Sequence, residues 1–355
     1  MTELRSKNRR SASLKGLAVI VIFTLLVTNV MTLYMLIKTG FSLKEALETK
    51  PVIVNKIVEA PEPEEEMTPS MPVSLFMKYA QSDKISIEFL QRFFNDRILI
   101  WHKDQLHSVA IDDTLKKSDF DAKYIVHNEN GIRTYEPESG NDISLLGIDV
   151  SSYQGNINWN KVKSAGVDYA IIRLGYRGYG TGAVLLDSKY HTNMKNAAAA
   201  GIPTGVYFYS QAINEQEAIE EAEMVIKNLR GYDISYPVVF DMEEVNDDPE
   251  NVRTSQLTPQ QRTDITIAFC ERIKEAGYTP MIYGNISWMI MNLEFERLES
   301  YDKWFAQYFK QPFFPYEFSM WQYTASGSID GINGNTDLNM GFFDYSAKPK
   351  NQTAN

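Results

Sequence analysis

Apolar residues follow three different rhythms along this chain, and each predicts a different kind of structure. Residues 16–37 form a run without a single charge. As a helix it would reach about 33 Å, enough to cross a bilayer. Residues 38–60 mix charges over a weak helical period and predict a stalk. Residues 59–72 are rich in proline and glutamate, the composition of an extended linker that cannot bury a core.

From Val73 to about Asn141 the pattern predicts a small α+β accessory module. An amphipathic stretch (Ile87, Phe89, Leu90, Phe93, Phe94) precedes the strand-like runs 98–101, 124–126 and 132–135. The last two are separated by a turn at Asn128–Gly131, as in a hairpin. A spacer or lid fits this segment better than an independent enzyme.

From Leu145 the rhythm changes again. Short apolar runs rich in β-branched and aromatic residues occur at 145–151, 168–176, 203–211, 236–243, 279–285, 303–308, 319–325 and 336–342. Helical stretches fill the first four gaps, including 188–200, 215–229 and 259–276, each stopped by a glycine (Gly201, Gly231, Gly277). Such alternation implies a parallel sheet, and eight strands suggest closure into a barrel. The gaps 309–318 and 326–335 are too short for helices, and the domain, at ~200 residues, is smaller than a full barrel of ~250. The expected fold class is therefore α/β, a shortened (β/α) barrel with eight strands and fewer than eight helices over 145–346, followed by a disordered tail.

Composition and charge narrow the picture. The chain has 355 residues, 44% hydrophobic and 23% charged, which is ordinary for a folded protein. Its one cysteine, Cys270, lies in an apolar helical pattern and reads as core. The four histidines have no ligand-like spacing, so neither a zinc site nor any other cofactor is expected. Residues 1–15 carry Arg5, Lys7, Arg9, Arg10 and Lys15 against Glu3, a net of +4; the chain's −11 leaves −15 for the rest. A body so acidic does not seek nucleic acid. The basic start places the N-terminus in the cytoplasm by the positive-inside rule. A transmembrane helix over 16–38 would then put the remainder outside the cell. A cleaved signal peptide is the rival, but its apolar run is usually only ~7–15 residues and is followed by a small-residue cleavage site, absent here.

The chemistry concentrates at the ends of the predicted strands, where barrel enzymes carry their catalytic groups. The run 236–243, Tyr-Pro-Val-Val-Phe-Asp-Met-Glu, reads as a buried strand ending in Asp241 and Glu243. Positions i and i+2 share a strand face, so the two carboxylates point the same way. Neighbouring carboxylates raise each other's pKa and can divide acid and stabiliser roles, the chemistry of glycoside cleavage. A helix N-cap or surface acidic cluster is the alternative, since Glu244, Asp247 and Asp248 follow. The other strand ends supply Asp149, Arg173, Tyr176, Tyr207, Tyr209, Tyr283, Gln307 and Gln322, and Asp337 opens the last strand. Aromatic rings and amides suit a sugar's apolar faces and hydroxyl edges.

Several stretches together resemble glycoside hydrolase family 25, the Chalaropsis-type muramidases. They are Gly-Ile-Asp-Val-Ser-Ser-Tyr-Gln-Gly-Asn-Ile-Asn-Trp (147–159), Ala-Ile-Ile-Arg-Leu-Gly-Tyr (170–176), Gly-Val-Tyr-Phe-Tyr-Ser (205–210), Val-Phe-Asp-Met-Glu (239–243), Met-Ile-Tyr-Gly-Asn (281–285) and Trp-Gln-Tyr-Thr (321–324). The resemblance covers about 145–345 and is silent on residues 1–144. It implies hydrolysis of the β-1,4 bond between N-acetylmuramic acid and N-acetylglucosamine in peptidoglycan. It also implies Glu243 as general acid, Asp241 as its partner orienting the substrate's N-acetyl group, and Asp149 and Asp337 as the remaining acids. Carboxylates at i and i+2 do not flank a sugar ring, so neither ordinary retaining nor inverting geometry fits well; participation by the substrate's acetamido group is what the resemblance implies. The rival functions are a catalytically weak wall-binding scaffold and a hydrolase of another N-acetylated glycan such as chitin.

Overall fold

The computed structural model describes residues 86–347, apart from residues 104, 139–143 and 246. The expected basic tail, membrane helix, stalk and linker, and the tail after 347, lie outside the described residues. Among the described residues no helix is long and apolar enough to cross a membrane.

The described chain opens with a short helix, α1 (Ile87–Gln91), capped by Ser86, whose hydroxyl accepts from Phe89 N. It leads into an antiparallel hairpin of β1 (Arg97–His102) and β2 (Gln105–Ala110). A second hairpin pairs β3 (Ile125–His127) with β4 (Arg133–Tyr135) around the expected turn, where Gly131 takes a φ of 82°. The strand β2 was not expected from the sequence. Its outward positions are occupied by Leu106 and other side chains left open to solvent, so no apolar alternation marks it.

The barrel follows as β5 (Leu145–Val150), α2 (Trp159–Ser164), β6 (Tyr169–Arg177), the short β7 (Val184–Leu186), α3 (Tyr190–Ala199), β8 (Thr204–Tyr209) and α4 (Glu215–Leu229). It continues with β9 (Val238–Asp241), α5 (Pro259–Glu275), β10 (Pro280–Asn285), α6 (Ile286–Met291), β11 (Asp302–Ala306), β12 (Met320–Gly327) and β13 (Thr336–Gly341). Eight of these strands close a ring in the order β5-β13-β12-β11-β10-β9-β8-β6, with β6 returning to β5 and β7 attached outside β6. Five α-helices surround it. The helix starts are written locally: Thr258 and Gln261 make a capping box with Pro259 in the first turn of α5, and Asn214 caps α4 ahead of Glu215 and Glu217.

The ring departs from the expected all-parallel sheet at one place. Strand β13 runs antiparallel to both β12 and β5. The linker between β12 and β13 is too short for the helix that a parallel return requires, so the chain turns straight back. A second departure is at β9, whose pairing ends at Asp241, two residues before Glu243.

Alternation along the strands divides the apolar residues into two sets. Ile148, Val150, Ile172, Val206, Phe240 and others face the helices. Tyr169, Ile171, Val239, Met281, Trp304 and Met320 fill the barrel. At the bottom of the barrel Tyr169 stacks on Tyr236, ring centroids 4.5 Å apart and planes nearly parallel at 7°. Gly147 makes room for that ring: a Cβ there would sit 2.1 Å from Tyr169 Cζ. The Cys270 thiol is buried in the outer set, as its pattern predicts.

Where β11–β13 lack helices, the N-terminal segment covers them. Phe120 packs against Phe318 (5.7 Å) and Phe342 (5.1 Å), and Tyr135 against Phe342 (5.7 Å). The Arg133 guanidinium lies over Trp321 (5.1 Å) and Tyr323 (4.9 Å) while donating to Phe309 O at 2.7 Å. Ile98, Ile100 and Tyr135 belong to the same hydrophobic core as the barrel's outer face, so residues 86–138 are not a separate globule.

Two stability outcomes follow. Gly147→Ala forces the ring of Tyr169 to move and should cost about 1–3 kcal/mol, seen as a lower thermal midpoint. Phe120→Ala, although outside the barrel, should cost about 2–3 kcal/mol of barrel stability. Unfolding of the barrel unchanged in midpoint by the second substitution would show that the covering segment is only an appendage.

Candidate active site

The inward positions at the C-terminal ends of the parallel strands are polar, in contrast to the apolar filling below them. Asp149, near the end of β5, is buried. Its Oδ2 accepts from Gln322 Nε2 (2.9 Å) on β12 and from Asn339 Nδ2 (2.8 Å) on β13. Each amide is oriented in turn. The Gln322 oxygen accepts from the hydroxyls of Tyr283 (2.9 Å) and Tyr308 (2.8 Å), and the Asn339 oxygen from Trp304 Nε1 (2.8 Å). These donors favour the carboxylate, yet burial and the nearby Asp337 outweigh them and push the Asp149 pKa well above its usual range.

Asp337 opens β13, and the antiparallel register sets it directly opposite Asp149. In a parallel last strand the same residue would lie at the far end of the barrel. Burial raises its pKa to about 6.

Asp241 and Glu243 approach each other although the strand has ended between them. Phe240 and Met242 point into the outer core, so the alternation continues past the last pairing. The two carboxyls are within hydrogen-bonding reach of one another, and burial raises both pKa values. The Glu243 charge and their hydrogen bond push Asp241 further up, whereas the same hydrogen bond lowers Glu243 against the raising effects of burial and Asp337. The pair thus retains a proton to higher pH than a free carboxyl. Asp241 is the deeper member, 5% exposed, and its Oδ1 has no hydrogen-bond partner. Glu243 is half-buried and lines an open cavity.

Arg173 is the cation facing this group. Asp187 accepts from its Nε (2.8 Å) and Ser152 from its Nη2 (3.1 Å). Its guanidinium lies between the rings of Tyr153 (5.0 Å) and Tyr176 (5.3 Å). Tyr153 is 84% exposed and stands at the mouth with the exposed Tyr308. Tyr207 sits lower, edge-on to Trp304 at 6.3 Å, and Tyr209 lies near Asp241 and Glu243.

Ten of the eleven residues singled out in the sequence are thus gathered at one rim. The exception is Gln307. It follows Ala306, the last residue of β11, which points inward, so its own side chain points outward. Its Oε1 accepts from Phe313 N (2.6 Å) and fastens the loop after β11. Sequence reasoning missed Asn339, Trp304, Tyr308, Tyr153 and Asp187. Asn339 had a signal, since it repeats the face of Asp337 two residues on.

Comparison with known proteins identifies the framework. Residues 148–332 match the family described as Glycosyl hydrolases family 25. The chain belongs to this family. It is 28% identical over 214 residues to Lysozyme M1 of Streptomyces globisporus, covering 55% of this chain and 67% of that protein. It is 26% identical over 195 residues to the autolytic lysozyme of Clostridium acetobutylicum, covering 55% of each. The solved structure of the modular autolysin LytC from Streptococcus pneumoniae, in complex with synthetic peptidoglycan ligand, superposes with a TM-score of 0.52 at 25% identity. That match covers 70% of this chain and 57% of the autolysin. The chain thus spans roughly half to two thirds of the length of these relatives.

Crowded acids carry a stability signature. With Asp337 at about 6 in the fold and about 3.9 unfolded, the folded state holds the proton more tightly. Its favourable contribution is complete below about pH 4 and is lost as pH rises through 6. Asp337→Asn, which mimics the protonated acid, should therefore stabilise the protein at pH 7.5 by about 1–2 kcal/mol and scarcely at pH 4. Thermal unfolding at the two pH values checks this; an equal shift at both, or destabilisation at pH 7.5, counts against it.

Proposed function

We propose that this protein is a muramidase that hydrolyses the β-1,4 bond between N-acetylmuramic acid and N-acetylglucosamine in bacterial peptidoglycan, with Glu243 as general acid. The observation that carries the reading is the unequal pair at the end of β9. Glu243 faces the open cavity and its pKa is raised, as a proton donor to a leaving-group oxygen requires. Asp241 lies deeper with an unpartnered Oδ1, an acceptor without a donor in a buried place. An acetamido N–H of the substrate would satisfy it. That contact turns the acetamido oxygen towards the anomeric carbon, where it can take the role that a second carboxylate plays in other retaining enzymes. Asp149, held by two amides, and Asp337 would turn carboxyl oxygens towards a developing oxocarbenium ion. Arg173, Tyr207, Tyr209, Tyr283 and Gln322 line the bed for the sugar, with Tyr153 and Tyr308 at its mouth.

The similarity to two lysozymes and to an autolysin solved with a peptidoglycan ligand supports this choice of substrate. The uncharged run 16–37 after a basic start supports a single-pass membrane anchor, cytoplasmic N-terminus and extracytoplasmic catalytic domain. Such a tether would hold an acidic enzyme at high local concentration beside an often anionic wall.

Full-length protein incubated with purified peptidoglycan should release muropeptides ending in reducible N-acetylmuramic acid, identified by mass spectrometry after reduction. Glu243→Gln should lower the rate at least ~100-fold, the scale of a lost general acid. Fragments ending instead in reducible N-acetylglucosamine, or equal release by the variant, would refute the assignment.

A further inference from the structure

The open cavity that Glu243 lines has a volume of about 690 Å³ and extends from that residue towards the β1–β2 hairpin. Its lining includes Lys103 from the hairpin tip, Glu243 and Glu244 after β9, and Arg262 and Trp288 from α5 and α6. The hairpin lies outside the family match, which begins at residue 148. It is fastened over α6 by a 2.9 Å hydrogen bond between His102 Nδ1 and Ser287 Oγ.

Two cations in this cavity have unfilled capacity. The half-buried Arg262 stacks on Trp288 at 5.2 Å and donates to Asn292 Oδ1 (3.2 Å) and the Thr254 carbonyl (3.5 Å). Its Nε has no hydrogen-bond partner, and burial lowers its pKa. No carboxylate of a described residue forms a salt bridge with it. Lys103 is exposed and, alone among the described non-glycine residues, takes a left-handed backbone, with φ 48°. Glycine or asparagine would hold that hairpin position at lower cost, by roughly 1 kcal/mol. On the acidic side, Asp247 is engaged by Asp248 N, Tyr179 and Asn251, while the exposed Glu244 carboxylate acts on Arg262 and His102 through space without forming a salt bridge to Arg262.

We propose that this region is a subsite for the peptide side chain of the glycan, with Lys103 and Arg262 taking its carboxylates. The inference rests on the muramidase reading. A peptide branch carries free charges of both signs, matching Lys103 and Arg262 on one hand and Glu244 on the other. A plain acetylated glycan such as chitin carries none and would leave the Arg262 Nε buried and unsatisfied, a loss that sites of this kind use to reject the wrong ligand. The accessory hairpin is then a specificity element, and it lies next to the acid that cleaves.

The test is a binding titration on full-length protein with two probes: a soluble disaccharide–peptide muropeptide with free carboxylates, and the same disaccharide with the peptide removed. Wild type should prefer the peptide-bearing probe. Lys103→Glu should reduce that preference about tenfold, Arg262→Gln should reduce it likewise, and Lys103→Arg should preserve it. Lys103 is exposed, so its variants test the site even where Arg262→Gln unfolds. No preference in wild type, or an undiminished preference in Lys103→Glu, overturns the proposal. The titration needs no turnover, so a protein that prefers the muropeptide yet releases no Glu243-dependent fragments would sink the muramidase reading and not the subsite.

Discussion

The site depends on a single pairing, the antiparallel seat of β13 between β12 and β5. It closes the ring with a strand that needs no crossover helix. It also reverses the polarity of that strand, so that residues at its start reach the rim formed by the ends of its neighbours. Asp337 therefore meets Asp149, and Asn339, one inward position further on, reaches the same carboxylate. The fourth acid joins the other three because one strand runs the other way. The arrangement costs charge repulsion, which burial converts into raised pKa values instead of unfolding, provided that the amides of Gln322 and Asn339 hold Asp149 in place.

Much of this was readable from the residues because barrel strands announce themselves. Each of the eight was a short apolar run, and each bounding glycine or cap was local chemistry. The acids were legible for the same reason, since the ends of runs are visible in a sequence. Strand direction was not. Polarity follows from linker length and from which neighbour a strand finds, and the pattern of β13 itself is identical read either way. Gln307 was misplaced by one residue, because the pairing of β11 stops at Ala306 and a single step flips the face. Tyr308 and Tyr153 escaped notice because a loop tyrosine carries no sign of whether it stands over a cleft or only over solvent. The role of the hairpin tip was invisible too: the contact between His102 and Ser287 spans 185 residues.

A shortened barrel leaves part of its outer wall bare, and here the N-terminal segment takes over the function of the missing helices. The helices of a full barrel supply leucine and isoleucine stripes. This segment supplies Phe120, Tyr135 and the guanidinium of Arg133 against Phe318, Phe342, Trp321 and Tyr323. Aromatic and cation–π packing suits a cover made of short hairpins and loops, since a few large flat groups bury much area without needing the long periodic face of a helix.

That cover has a consequence for how the chain acquires its shape. Phe120 is made early and its partners Phe318 and Phe342 last, so the aromatic cluster joins the two ends of the described chain. The ring likewise closes only when β13 finds β5. During synthesis the first half must therefore wait, exposed, for the final strands, and contacts of such long sequence separation are reached slowly. A ribosome-bound or truncated fragment would present the same bare aromatic surface whichever end was missing. Folding should thus be all-or-none, with the acidic rim unassembled until β13 has emerged and found β5.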